Sequence, residues 1–168
     1  ISETFYLNSA LKFGCDKMYW ITPNLGTASK DEKVDADEVF YLTDLNDGWN
    51  PPELIYLRAK EILVSVFQGK RIVLKCMAGI SRSNGFATLI LAYLSGSSWD
   101  SMYSIVREKV PIAQVNLDFR DSCIQALELL RKRLVKNCPY CNAPIEFWEE
   151  TCFRCWYKHK KEEKHNEC

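Results

Sequence analysis

Several features that would name a partner are missing from this sequence. Charge imbalance is absent: 22 Lys and Arg face 22 Asp and Glu, for a formal net charge of zero at pH 7. That removes the strongly basic balance on which sequence-independent nucleic-acid binding relies, leaving room only for a local patch. No uninterrupted apolar run approaches the roughly 20 residues of a membrane-spanning helix, and the N-terminus lacks a signal peptide's basic-then-apolar pattern. Because the chain begins at Ile1 rather than Met, that second absence carries less weight. Low-complexity linkers and internal repeats, other than paired cysteine knuckles, are also missing. At 168 residues the chain is too short for two full domains but long enough for one packed domain and a small appendage. A soluble intracellular protein, cytoplasmic or nuclear, is expected.

A disulfide framework is absent too, although there are eight cysteines. Cys15, Cys76 and Cys123 stand alone, Cys168 closes the chain, and Cys138, Cys141, Cys152 and Cys155 crowd into a stretch of eighteen residues. Two C-x-x-C pairs point to a metal, and free or metal-bound thiols fit a reducing compartment. Cys15 and Cys123 read as inert packing.

Along the chain, apolar anchors such as Phe5, Tyr6, Phe13 and Trp20 come without a clean period, and one strand is expected over Met18–Thr22, ending at Pro23. Asp31–Glu38, with five acids and one Lys, reads as a solvated loop, followed by a strand over Val39–Leu42. Asn50-Pro51-Pro52-Glu53 predicts a helix start, with Asn50 as N-cap and Glu53 placed as in a capping box, and the helix runs to Gly69. Arg71–Lys75 reads as a buried strand and Phe86–Leu94, apolar nearly all round, as a central helix. Ser97 or Ser98 caps a further helix through about Lys109, which Pro111 breaks. A last long helix is expected over Leu117–Lys136, with Phe119, Cys123, Leu127, Leu130 and Leu134 as its inward stripe. A domain boundary is placed at Asn137, giving 1–136 and 137–168.

Lys75-Cys76-Met77-Ala78-Gly79-Ile80-Ser81-Arg82-Ser83 joins the buried strand to the buried helix, where open α/β sheets place ligands. Loop amides from Met77 to Ser81 form an anion nest there, and the helix N-terminus adds its positive end. Gly79 permits close approach or unusual dihedrals. A cysteine facing such a nest, beside Arg82, is expected to act as a thiolate nucleophile. Arg82 can grip two phosphoryl oxygens with its planar fork. These residues specify a phosphate and a thiolate.

Cys76 to Arg82 with the following Ser83 resembles the C-x5-R-S/T signature of the cysteine-dependent phosphatases, and its Gly and Ser positions look like the dual-specificity protein phosphatases. The resemblance covers roughly residues 20–130. It implies an α/β protein tyrosine phosphatase-like fold, a small central sheet flanked by helices. It also implies that Cys76 attacks phosphorus while Arg82 and the loop amides stabilise the equatorial oxygens, with no metal required. Ser83 would stabilise the departing thiolate. The family's general acid is an aspartate about thirty residues upstream; Asp44 occupies that place, with Asp47 as the alternative, though Asp-x-x-Asp-Gly is also an ordinary polar turn. An asparagine at the start of the last long helix commonly braces the phosphate loop in this family; here that is Asn116, which reads equally well as a simple helix cap. One departure stands out. Lys75 occupies the place immediately before the nucleophile where the family usually has His, and this puts the thiolate and the turnover rate in question.

Cys138-Pro139-Tyr140-Cys141 and Cys152-Phe153-Arg154-Cys155 resemble the two knuckles of a zinc ribbon. Four thiolates would close one structural zinc site, and so short a stretch needs a metal to fold. Its five basic and six acidic residues give no basic signal over 137–168. Nucleic acid is therefore disfavoured as a partner without being ruled out. Ile145, Phe147, Trp148, Phe153 and Trp156 exceed what the metal site needs, so the ribbon is expected to pack on the catalytic domain or a protein partner. The expected activity is hydrolysis of phosphotyrosine and of phosphoserine or phosphothreonine in phosphoproteins. The competing readings are an RNA 5′-triphosphatase of the same chemistry and a non-catalytic phosphopeptide-binding scaffold.

Overall fold

The structure, a computed structural model, describes residues 18–166; Cys15 and Cys168 lie outside the described residues. A mixed four-stranded sheet is flanked by helices, as expected for the α/β class. Strand β1 (Tyr19–Thr22) pairs antiparallel with β2 (Leu25–Ser29), which runs parallel to β4 (Ile72–Cys76). Strand β3 (Glu38–Tyr41) flanks β4 on its other side, also parallel, giving the order β1-β2-β4-β3. Central β4 is buried at all five positions, as its continuous apolar run predicts for a strand covered on both faces. Parallel pairing brings the carboxyl ends of β2, β3 and β4 to one edge of the sheet. Ser29 is opposite Cys76 and Tyr41 opposite Lys75, so whatever follows these strands converges on the end of β4.

Helix α1 (Pro52–Phe67) follows the β3 exit turn and ends at Gln68, with Gly69 at φ +73° just beyond. Asn50 does not cap it. Pro51 holds the N-cap position without a side-chain bond, and Glu53 binds Arg133 instead of closing a capping box. The Asn50 side chain instead closes the preceding turn, accepting from Asn46 N at 3.0 Å and donating to Asn46 O and Gly48 O. Helix α2 (Arg82–Ser95) is buried along most of its length and stops at Gly96 in the left-handed region. Helix α3 (Trp99–Lys109) is capped by Ser98, whose Oγ accepts from Ser101 N, as predicted.

Helix α4 (Leu117–Arg133) buries all of the predicted stripe within its length, and Leu134 is buried just beyond. It packs against α1 and α2. The α2 contact is close: a Cβ at Gly85 would meet the Phe119 ring at 2.7 Å. The main core joins the sheet to these helices through large side chains such as Tyr56, Ile72, Phe86, Trp99 and Phe119. Each buried aliphatic or aromatic residue of this kind contributes on the order of 1.5–3 kcal/mol.

The last helix is shorter than expected. At Leu134 the chain becomes extended and forms β5 (Leu134–Asn137), antiparallel to β6 (Pro144–Glu146), before the closing α5 (Phe153–Asn166). Pairing with β6 outweighs helix propensity over 134–136. This C-terminal unit lies on α1: Val64 joins Cys138, Ala143, Ile145, Cys152 and Cys155 in a second small core. Tyr56 Oη donates to Glu146 at 2.7 Å, Lys60 pairs with Glu149 at 2.7 Å, and Arg154 pairs with Glu38 at 2.9 Å. Of the apolar residues expected to pack, Ile145 does so, whereas Phe147, Trp148, Phe153 and Trp156 are each at least half exposed. No helix among the described residues is long and apolar enough to cross a membrane.

Candidate active site and metal centre

The turn between β4 and α2 is shaped from below. Asn84 in the first turn of α2 donates through Nδ2 to Gly79 O and Ile80 O, both at 2.9 Å, while its Oδ1 accepts from Thr27 Oγ1 at 2.8 Å. Gln114 N donates to Ile80 O as well. The loop carbonyls are thus occupied on the protein side. Among the described residues, the amides from Met77 to Ser81 find no backbone or side-chain acceptor, which suits an anion nest. Gly79, at φ +71°, lies so close to β2 that a Cβ would stand 2.8 Å from Ser29 N. Only glycine fits that approach.

Cys76 is buried at the floor of this loop, with Sγ 3.2 Å from Ser83 Oγ. Arg82 is buried and donates through Nη1 to Leu45 O at 2.8 Å and Thr43 O at 3.2 Å, which ties the β3 exit turn to the β4–α2 loop. A cleft of about 450 Å³ opens above them, lined by Asp47, Cys76, Met77, Ala78, Ile80, Ser81, Arg82 and residues 114–117. Among the described residues, Arg82 is the one cation lining it.

The two candidate acids separate here. Asp44 turns away to pair with Arg58 at 2.6 Å, its side chain 60% exposed, and does not line the cleft. Asp47 does line it, with Oδ1 2.5 Å from Ser81 Oγ. Asn116 divides its functions: its side chain accepts from Asp118 N and Phe119 N as the cap of α4, while its own N–H donates to Ser81 Oγ at 3.0 Å. It therefore contacts the β4–α2 loop through its backbone. Lys75 is buried beside Cys76, its ammonium donating to the carbonyls of Glu32 and Lys30 and lying 5.6 Å from the Tyr41 ring centroid. It holds the segment after β2, while Cys76, one residue on, faces the cleft. Asn84 was not foreseen. The available signal was an Asn immediately after Arg82-Ser83, just ahead of the apolar run that starts at Phe86.

The four clustered cysteines meet as the spacing predicts. Their Sγ atoms all lie within 4.8 Å of one another, and Cys141 and Cys152 are 3.6 Å apart. A tetrahedral thiolate site with metal–sulfur bonds of about 2.3 Å has sulfur–sulfur edges of about 3.8 Å, so the cluster fits a metal ion. The first knuckle is closed by Cys138 N donating to Ala143 O and Asn142 N to Cys138 O, with Asn142 at φ 66°. Burial raises the Cys138 thiol, but the amides of Cys152, Cys141 and Tyr140 outweigh it and bring the group down to about 6. Burial pushes the isolated Cys123 thiol far up, as befits inert packing.

This architecture is the fold of the dual-specificity phosphatases. Comparison of the sequence with known protein families and with curated proteins gives no match. Among solved structures, the chain is similar to a mouse putative dual specificity phosphatase complexed with zinc tungstate, at TM-score 0.60 and 15% identity, covering 68% of this chain and 89% of that one. It is also similar to a leucine rich repeat and phosphatase domain containing protein from Entamoeba histolytica, at TM-score 0.60 and 12% identity, covering 69% and 94%. A third similar structure is the human tyrosine phosphatase-like serine/threonine/tyrosine-interacting protein, at TM-score 0.56 and 16% identity, covering 70% and 98%.

Proposed function

We propose that this protein is a dual-specificity protein phosphatase hydrolysing phosphotyrosine and phosphoserine or phosphothreonine through a phosphocysteine intermediate. One observation carries the reading: Cys76 sits at the floor of a loop whose amides have no internal acceptor among the described residues, with Arg82 beside it. A phosphoryl group seated there would place its equatorial oxygens on those amides and on the guanidinium, where developing charge is stabilised by donors already in position. Cys76 Sγ bonds to phosphorus as the bond to the leaving oxygen breaks. Water then displaces the sulfur, and Ser83 Oγ hydrogen-bonds the returning thiolate. We assign proton transfer to Asp47 rather than Asp44, because Asp47 lines the cleft and Asp44 is engaged by Arg58.

Arg82 as the one lining cation favours a monophosphate over a 5′-triphosphate end. We take the cysteine cluster to hold one structural zinc ion, contributing stability and no catalytic step. Residues 1–136 are read as the catalytic domain and 137–168 as the zinc module and tail. The outward aromatics Phe147, Trp148, Phe153 and Trp156 are the surface on which a protein partner would sit; strong, salt-sensitive RNA binding by the protein would refute that preference. The test of the activity is turnover of phenyl phosphate and of phosphotyrosine and phosphothreonine peptides. It should be lost in Cys76→Ser and reduced about 10²-fold in Asp47→Asn on poor leaving groups. Full rate in Cys76→Ser would overturn the mechanism.

A further inference from the structure

We propose that Ser81 is the positioning residue that orients the proton donor, fixing which carboxyl oxygen of Asp47 delivers the proton. The inference rests on the assignment of Asp47 made above. Ser81 is buried within the phosphate loop, and its Oγ is the meeting point of three segments. It accepts the N–H of Asn116 at 3.0 Å, at the first turn of α4, and stands 2.5 Å from Asp47 Oδ1. Asn116 N–H is a donor and offers the hydroxyl no acceptor, so the single Ser81 proton is directed to Asp47 Oδ1.

An oxygen already accepting that bond is the poorer seat for the carboxyl's own proton, which is left on Oδ2. From Oδ2 the proton passes to the leaving oxygen as the P–O bond breaks and the bond from Cys76 Sγ to phosphorus forms. The P–O electron pair remains on that oxygen and takes the proton, leaving the Asp47 carboxylate. In the second half-reaction Oδ2 takes a proton from water as the water oxygen bonds to phosphorus and the S–P electron pair returns to Sγ.

The surrounding turn is held for this purpose. Arg82, the next residue of the loop, binds Leu45 O and Thr43 O, while Asn50 closes residues 46–50 and donates its own N–H to Ser122 Oγ at 2.9 Å. Two consecutive phosphate-loop side chains therefore grip the acid-bearing turn. Holding the donor in place before substrate arrives lowers the cost of reaching the reactive geometry.

The experiment compares kcat on 2,4-dinitrophenyl phosphate, whose leaving group needs no proton, with kcat on phenyl phosphate, whose leaving group does. Asp47→Asn should raise the ratio of the two about 10²-fold. Ser81→Ala is expected to raise it about tenfold, Ser81→Thr to restore it, and the Ser81→Ala/Asp47→Asn double variant to raise it no further than Asp47→Asn alone. Ser81→Cys, similar in size and a weak donor, carries the same comparison should the alanine variant fail to fold. If Ser81→Ala lowers both rates by one factor while Asp47→Asn still changes the ratio, Ser81 is merely structural and the proposal falls while Asp47 stands. If Asp47→Asn leaves the ratio unchanged, the assignment beneath both is wrong.

Discussion

Cysteines sit at turns in two regions of this molecule, and the two regions use them in opposite ways. At the end of β4, Cys76 is held by a large core drawn from the sheet and the helices on both its faces, and its thiol remains available to the cleft. Around β5 and β6 the small core is Val64, Ala143 and Ile145 together with four cysteines. In the first region burial supplies the stability, and the thiol is left facing the cleft. In the second, cysteines stand where apolar residues would otherwise be, in a cluster whose geometry fits a metal ion able to supply what burial cannot. A C-x-x-C pair and a C-x5-R loop therefore differ less in local geometry than in what surrounds them.

The contrast can be broken most sharply at Cys76. Cys76→Ser should lower turnover of an aryl phosphate by about 10³-fold or more while leaving the melting temperature nearly unchanged, because the substitution is small and the core around β4 stays filled. A large fall in melting temperature would mean that this cysteine, too, is structural. Metal removal is the complementary test. Chelation, or Cys152→Ser, should abolish amide-exchange protection in the 134–157 region and lower the melting temperature, while phenyl phosphate turnover changes by less than about threefold. Loss of turnover together with the metal would show that the two regions are not independent.

A smaller effect is expected at Asn84. Its side chain makes three hydrogen bonds beneath the β4–α2 loop, so Asn84→Ala leaves Gly79 O without that donor, Thr27 Oγ1 without that acceptor and Ile80 O with Gln114 N alone. The cost should be about 1–3 kcal/mol by denaturant titration, with vanadate affinity falling as the loop loosens. The smallest effect concerns how the C-terminal unit is anchored. Burial raises Glu146, but bonds from Tyr56 and Lys60 outweigh it and hold the carboxyl below its ordinary value. Burial likewise raises Glu38, and Ser65, Lys70 and Arg154 outweigh it. Groups with depressed folded values contribute stability that is present above the ordinary carboxylate value and lost as pH falls through the folded value. Melting temperature should therefore decline from about pH 4.5 downward, and Glu146→Gln should flatten part of that decline.

The elements that position the site were legible where burial and chemistry agreed. The continuous run of β4, the Gly and Ser residues after it and the apolar α2 announced a strand, a loop and a helix, and the cysteine spacing announced its cluster. Strand β2 was not legible: Gly26, Ala28 and Ser29 have little strand preference, Thr27 between them is too short a signal, and pairing with β4 makes the segment a strand. The α4 stripe ran unbroken to Leu134, so nothing in its period marked the change to β5 at that residue. The resemblance placed the acid at Asp44, with Asp47 as the alternative; both lie on one short turn, and spacing does not show which side chain lines the cleft. Arg58 draws one outward and Ser81 holds the other over the loop.

The most direct test of the central claim is to quench the Asp47→Asn variant during turnover of 2,4-dinitrophenyl phosphate and map the phosphoryl group by peptide mass spectrometry. The account predicts one phosphoryl group on Cys76, formed in a burst ahead of steady-state turnover. Steady turnover with no phosphoryl group on Cys76, or with the group on Ser83, would contradict it.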